Sequence, residues 1–133
     1  MTSQRINPTS LYDSLRFGFS HAALQEKGRT LHLAGQVGWD MEYNVAAGDL
    51  AAQTRQALAN LTAVLAEVGA TPADVVRLRT YVVDHTPDKL GVIVPELGNF
   101  YAGAVPAPNT IVGVAALALP DFLIEIEAVA AIE

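Results

Sequence analysis

DLAAQTRQALANLTAVLAEVGATPADVVRLRTYVVD, residues 49–84, contains the switch from helix to strand on which the fold turns. Asp49 offers a side-chain acceptor to the unpaired amides of a helix start. Leu50, Thr54, Ala57, Leu58, Leu61, Val64, Leu65 and Val68 then recur at three- and four-residue steps. That period predicts an amphipathic helix, which Gly69 ends by supplying a left-handed residue. Thr71-Pro72-Ala73-Asp74 reads as a turn, and β-branched and aromatic residues dominate from Val75 to Asp84, as in a strand.

Upstream, Leu15 to Val37 reads as a hairpin. Phe17, Phe19, Ala22 and Leu24 mark one strand, Glu26-Lys27-Gly28-Arg29 the turn, and Thr30-Leu31-His32-Leu33-Ala34 the other. Downstream of Thr86-Pro87-Asp88 a second helical stretch runs to about Tyr101 with Leu90, Val94, Leu97 and Tyr101 on one face. Gly91, Pro95 and Gly98 predict that it is kinked or broken. Pro106-Ala107-Pro108 closes that unit, and Asn109–Ala115 and Leu123–Ile132 give two last strands joined through Leu119-Pro120-Asp121. The predicted order is ββαβαββ. With no linker or composition break, residues 1–133 are expected to form one α+β domain whose sheet is covered on one face by two helices. The opposite face is expected to be apolar and to need a partner subunit.

Composition narrows the functional classes. The 133 residues include 8 Lys+Arg and 14 Asp+Glu, a net charge of −6, which disfavours a nucleic-acid partner. Half the residues are hydrophobic (51%), enough for a core, and the charged fraction of 17% is low for a soluble domain, which predicts self-association. The absence of cysteine excludes disulfides and thiol chemistry. Charged residues, Gly or Pro interrupt every apolar run before it could span a membrane. Met1-Thr2-Ser3-Gln4-Arg5-Ile6-Asn7 lacks a secretory pattern, so a cytoplasmic location is the default expectation.

His21, His32 and His85 are scattered without metal-ligand spacing, so no metal is expected. There is no GxGxxG, GxxxxGK[ST] or GxSxG; Gly35-Gln36-Val37-Gly38 follows a strand but reads as a turn. The feature least like packing is Leu123-Ile124-Glu125-Ile126-Glu127-Ala128-Val129, whose two carboxylates share one face of an apolar strand. Burying an unpaired carboxylate costs several kcal/mol, so that face must meet solvent, a cation or a polar pocket. Arg77, Arg79 and Tyr81 likewise share a strand face, and a structural ion pair with these carboxylates is expected.

Taken in order, Ala34-Gly35-Gln36-Val37-Gly38, Gln53-x-x-x-Ala57-x-x-Asn60-Leu61-x-x-Val64-Leu65, Tyr81-Val82, Phe100-Tyr101, Pro106-Ala107 and Ile124-Glu125-Ile126-Glu127-Ala128-Val129-Ala130 resemble the Rid/YjgF family over nearly the whole chain. The family is also called the L-PSP endoribonuclease or translation-inhibitor family. The resemblance implies a chorismate-mutase-like trimer with ligand clefts between subunits, and hydrolysis of reactive imines and enamines with no metal or cofactor. In those deaminases an arginine two residues after the Pro-Ala of their motif pairs with the substrate carboxylate; here that position is Asn109. The family's pocket tyrosine corresponds to Phe19, its serine before Gly-Gln to Ala34, and its helix asparagine falls near Val94. Glu125 matches the glutamate that holds the attacking water. The resemblance therefore implies Glu125 as the catalytic group and Asn109, Phe19, Ala34, Gly35, Trp39 and Val94 as the pocket for an aromatic or weakly charged small molecule. Two readings follow: a hydrolase or deaminase distinct from the arginine-dependent 2-aminoacrylate enzymes, with Trp39 and Phe19 forming an aromatic wall, or a noncatalytic ligand-binding trimer. An endoribonuclease is disfavoured by the acidic balance.

Overall fold

The helix expected after Asp49 is α1, Leu50–Ala66, in the computed structural model, which describes residues 2–133. The Asp49 carboxylate accepts from the Ala52 amide at 3.0 Å, and Gly69 turns the chain at φ 73°. The remaining elements are β1 (Ser3–Ile6), β2 (Ala22–Gln25), β3 (Arg29–Val37), β4 (Val75–Val83), α2 (Leu90–Tyr101), β5 (Asn109–Val114) and β6 (Ile124–Ile132). The α+β class and the two helices on one sheet face match the expectation, with one more strand at the N-terminus.

That extra strand changes the partner of β2. Leu15–Phe17 is a 3-10 turn ended by Gly18 at φ 85°, and β2 pairs antiparallel with β1, not with β3 in the expected hairpin. The short, polar run Ser3-Gln4-Arg5-Ile6 carries no alternation to announce a strand. Its anchors are side chains: the Arg5 guanidinium donates to the Ala73 and Val75 carbonyls at 3.1 and 2.7 Å, and the Thr2 hydroxyl to the Ala131 carbonyl at 2.9 Å.

The main sheet has the order β3-β6-β4-β5. β6 runs antiparallel to both β3 and β4, so β3 and β4 are parallel, and β4 is parallel to β5. α1 connects the first parallel pair and α2 the second. Two crossovers of one hand that step the same way across a sheet put both helices on the same face. There Leu58, Leu61 and Leu65 of α1 and Ile93 and Leu97 of α2 pack on Leu78, Val82, Ile124 and Ile126.

α2 is unbroken, against the expectation of a kink or break. Pro95 and Gly91, whose carbonyl loses its helical donor to Pro95, are both exposed, so water can take over the bond. The buried face of α2 is Ile93, Leu97, Phe100 and Tyr101, which leaves Leu90 and Val94 half-buried and turned aside from the core. α1 also buries a polar residue that hydrophobic periodicity does not predict. The Gln53 amide donates to the Ala46 and Asp121 carbonyls at 3.0 and 2.9 Å and accepts from the Leu123 amide at 2.9 Å. Gly38 crosses Gln53 so closely that a Cβ there would lie 2.8 Å from the glutamine's Cβ.

The uncovered face is more polar than expected. It presents His32, Arg77, Arg79, Tyr81, Glu125, Glu127 and Val129 in cross-strand register. Glu127 accepts a hydrogen bond from the Tyr81 hydroxyl, which holds that phenol above its usual range. The expected arginine–glutamate pair is not formed: among the described residues the ion pairs are Lys27–Glu133 and Arg55–Glu96. Among the described residues no helix is long and apolar enough to cross a membrane.

Candidate functional site

The expected site residues fall into two cavities at opposite edges of the main sheet. At the β3 edge, Gly35, Gln36, Val37, Trp39, Asp40, Met41, Tyr43, Asn60, Phe122 and Glu125 line a cavity of about 460 Å³. At the β5 edge, Tyr12, Phe17, Phe19, Ser20, His21, Arg77, Leu90, Val94, Pro108, Asn109, Thr110 and Ile111 line one of about 660 Å³. β6 and β4 stand between the edge strands, three strand spacings of roughly 4.8 Å each. Within one chain, then, Glu125 gathers Gly35 and Trp39 but not Asn109, and Phe19 shares no wall with Trp39. Ala34 is exposed and lines neither cavity.

The β3 cavity is built by close backbone approach. β3 carries a register irregularity between Leu33 and Gln36, and Gly35 within it lies directly over the Glu125 side chain. A Cβ at position 35 would come within 2.3 Å of Glu125 Oε2, so any larger residue there must displace the carboxylate. Glu125 is half-buried, and among the described residues no group donates a hydrogen bond to its carboxylate, which leaves its lone pairs for a molecule in the cavity. Trp39 is held edge-on by Phe122 and Tyr43, with ring centroids 4.9 and 5.2 Å away. The Asn60 amide fixes the strand exit by donating to the Val37 and Trp39 carbonyls at 3.2 and 2.9 Å. Beyond it, Asp40 accepts from the Glu42 and Asn44 amides at 2.8 and 2.9 Å. Those backbone donors, Asn44 first, hold the Asp40 carboxyl below its ordinary pKa.

The β5 cavity is built by side-chain hydrogen bonds. Asn109 Oδ1 accepts from the buried Thr80 hydroxyl at 3.1 Å, so the amide nitrogen is left to donate. The Leu78 amide donates to the Pro108 carbonyl at 2.8 Å, which extends the β4–β5 ladder past the proline and holds Asn109 at the mouth. Asn7 organises the opposite wall: its Oδ1 accepts from the His21 amide at 2.9 Å and its Nδ2 donates to the Ser20 hydroxyl at 3.2 Å. Tyr12, Phe19 and His21 then pack edge to face, the Tyr12 and His21 rings 4.7 Å apart. Val94 and Leu90, the α2 residues turned aside from the core, form the floor with Ile111.

Sequence reasoning missed Tyr12, His21, Arg77, Asn60 and Phe122 as lining residues. His21 lies inside the segment compared with the family, Gly18-Phe19-Ser20-His21-Ala22, and Asn60 inside the α1 motif, so both were within reach. Arg77 becomes a neighbour of Asn109 only through the parallel β4–β5 pairing, which aligns Leu78 with Asn109. No local pattern carries that register.

This fold and these cavities belong to a known class. The family described as Endoribonuclease L-PSP matches residues 14–132, and the chain is a member of that family, the Rid/YjgF proteins. It is 57% identical to YyfB, a Rid-family protein from Yersinia pestis, whose structure superposes with a TM-score of 0.96 over 99% of this chain and 100% of that one. Rv2704 from Mycobacterium tuberculosis, of the YjgF/YER057c/UK114 family, is 31% identical with a TM-score of 0.66 over 98% of this chain and 99% of that one. A 2-iminobutanoate/2-iminopropanoate deaminase from Dermatophagoides farinae is 30% identical in an alignment of 134 positions that covers 100% of this chain and 100% of that one.

Proposed function

We propose that this protein hydrolyses imines or enamines of small organic acids, in a site assembled where the β3 cavity of one copy meets the β5 cavity of another in a homotrimer. The observation that carries the reading is Glu125, a carboxylate held against Gly35 in the cavity wall that accepts no side-chain hydrogen bond among the described residues. The full-length similarity to an imine deaminase supports the reaction class. Such a carboxylate can take a proton from water as the oxygen attacks the C=N carbon. The proton then passes to nitrogen, and the carbinolamine collapses to a carbonyl compound and ammonia. Atoms balance with water alone. Two half-cavities on opposite sheet edges, each open, support assembly from separate copies, because one chain cannot bring Glu125 to Asn109, Phe19 and Val94.

Position 109 supplies an amide, not a guanidinium, so the enzyme differs from deaminases that anchor their substrate by arginine there. RNA cleavage gains nothing from a chain of charge −6.

The test is hydrolysis of imines generated in situ from alanine and from phenylalanine by an amino-acid oxidase, with release of keto acid and ammonia followed against time. Acceleration by the native protein and its loss in Glu125→Gln are expected, together with a trimer mass by light scattering. Failure to accelerate either imine would overturn the hydrolase in favour of a binding protein, and a monomer mass at micromolar concentration would overturn the shared site.

A further inference from the structure

The β5 cavity has an electrostatic character that the chain as a whole does not. Fourteen Asp and Glu residues make the protein acidic, yet none of them lines this cavity, whereas Arg77 and His21 do. Among the described residues Arg77 forms no hydrogen bond and no ion pair, so its five donors are uncommitted. A second donor at the mouth is the Asn109 amide nitrogen, free to donate because its oxygen accepts from Thr80. His21 is engaged through Nε2 with the Tyr12 carbonyl at 2.8 Å. Tyr12, Ser20 and Thr110 add hydroxyls to the wall, and Phe17, Phe19, Leu90, Val94, Pro108 and Ile111 make the rest of it apolar.

We propose that Arg77 binds the carboxylate of a small organic acid with an apolar body in the β5 cavity, supplying from β4 the cation that position 109 of β5 lacks. This deepens the hydrolase reading above and uses the same cavity. A guanidinium presents two parallel donors that match a carboxylate. One cation and one neutral amide suit a monoanion better than a phosphate dianion. About 660 Å³ lies within the range of small-molecule sites, and the aromatic and aliphatic lining favours a phenyl-sized body over a methyl group. Arg77 is exposed and lies outside the core, so its replacement tests binding with little effect on folding. Arg79, two residues along the same strand, does not line the cavity.

The experiment is titration calorimetry of the full chain with phenylacetate, phenylacetamide, acetate and phenyl phosphate. Phenylacetate is expected to bind at least tenfold tighter than phenylacetamide and than acetate. Arg77→Met should weaken phenylacetate at least tenfold and leave phenylacetamide unchanged, while Arg77→Lys, which keeps the charge but not the fork, should fall between. Lys27→Gln removes the same charge at the other sheet edge and should change nothing. Melting temperatures accompany each variant, and if Arg77→Met is unfolded the Lys variant decides. Native phenylacetate affinity in both Arg77 variants, no discrimination between phenylacetate and phenylacetamide, or tighter binding of phenyl phosphate would each overturn the assignment. These readouts do not depend on turnover. Arginine-dependent binding without imine hydrolysis would overturn the hydrolase alone, and hydrolysis that needs Glu125 with Arg77-independent binding would overturn this inference alone.

Discussion

The cavities at the two sheet edges differ in what makes them and in what they offer. The β3 cavity is acidic, and its Glu125 is positioned by backbone: Gly35 lies so close that the carboxylate has one place to go. The β5 cavity carries a cation in an apolar bowl, and its Asn109 is positioned by a hydrogen bond from Thr80. A proton acceptor and an anion receptor on one small chain would neutralise each other if adjacent. Their offset along the neighbouring strands β6 and β4 keeps them apart, since Glu125 stands opposite Tyr81 and Arg77 opposite Val129, four residues or roughly 13 Å further along. The contrast also ranks fragility: a site held by steric exclusion fails abruptly when an atom is added, whereas one held by a hydrogen bond loosens by degrees.

The largest expected effect breaks the acidic side alone. Glu125→Gln keeps the volume and removes the proton acceptor, so imine hydrolysis should fall by roughly a hundredfold or more while phenylacetate still binds, no more weakly than to the native protein because a like charge has left the shared site. The melting temperature should change little, because among the described residues no donor loses a partner. A drop in stability with activity retained would make Glu125 a structural residue instead.

Next comes Gly35→Ala, which separates geometry from chemistry. The new methyl would overlap Glu125 Oε2, and the carboxylate must swing away or β3 must shift. Activity should fall by about ten- to a hundredfold with the glutamate still present. At Gly38 the same substitution meets Gln53 atoms of α1 at 2.8–2.9 Å, including its Cα. There the loss should appear as a lower melting temperature, since a buried network of three hydrogen bonds is displaced. Equal stability losses at both glycines would contradict the difference drawn between a movable side chain and a fixed helix.

How much of this was legible follows from the range of each signal. α1, β4 and β6 announce themselves by local periodicity, and Asp49 and Gly69 mark the bounds of α1. β1 does not, because Ser3–Ile6 is held by Arg5 and Thr2 reaching distant carbonyls. Glu125 was legible as a carboxylate on an apolar strand, and the family pattern pointed to Asn109, Phe19 and Val94. That these line the β5 cavity while Glu125 faces the β3 cavity depends on strand order, since β6 is last in sequence yet inserts between β3 and β4. Arg77 was visible as one of three residues on a strand face, and the expectation paired that face with glutamates. The parallel register of β4 with β5 sends it to Asn109 instead.

On the β5 side a milder change suffices. Thr80→Val keeps the shape of the buried side chain and deletes the hydroxyl that orients Asn109. Phenylacetate affinity should fall about three- to tenfold, in line with the roughly 0.5–1.5 kcal/mol that such a hydrogen bond contributes. The effect should vanish in Asn109→Ala, where there is no amide left to orient. Additive losses in the double variant would mean that Thr80 acts elsewhere.

The smallest expected effect concerns acid. Asp40 is exposed and accepts backbone hydrogen bonds from Asn44 and Glu42, which lower its pKa in the folded state. A group with a depressed folded pKa favours the folded loop above its unfolded pKa, ordinarily 3.8, and that contribution is lost as pH falls through the folded value. Loosening of residues 39–44 is therefore expected only below about pH 4. Trp39 is the chain's single tryptophan and sits at the root of this loop, so its fluorescence reports the β3 cavity alone. Its emission should be flat from pH 7 to 4.5 and shift towards that of exposed indole below it. Glu125 is the other carboxylate that lines this cavity. Asp40→Asn should abolish the shift, whereas Glu125→Gln should preserve it; the reverse result would place the acid sensitivity of this edge on the carboxylate beneath Gly35.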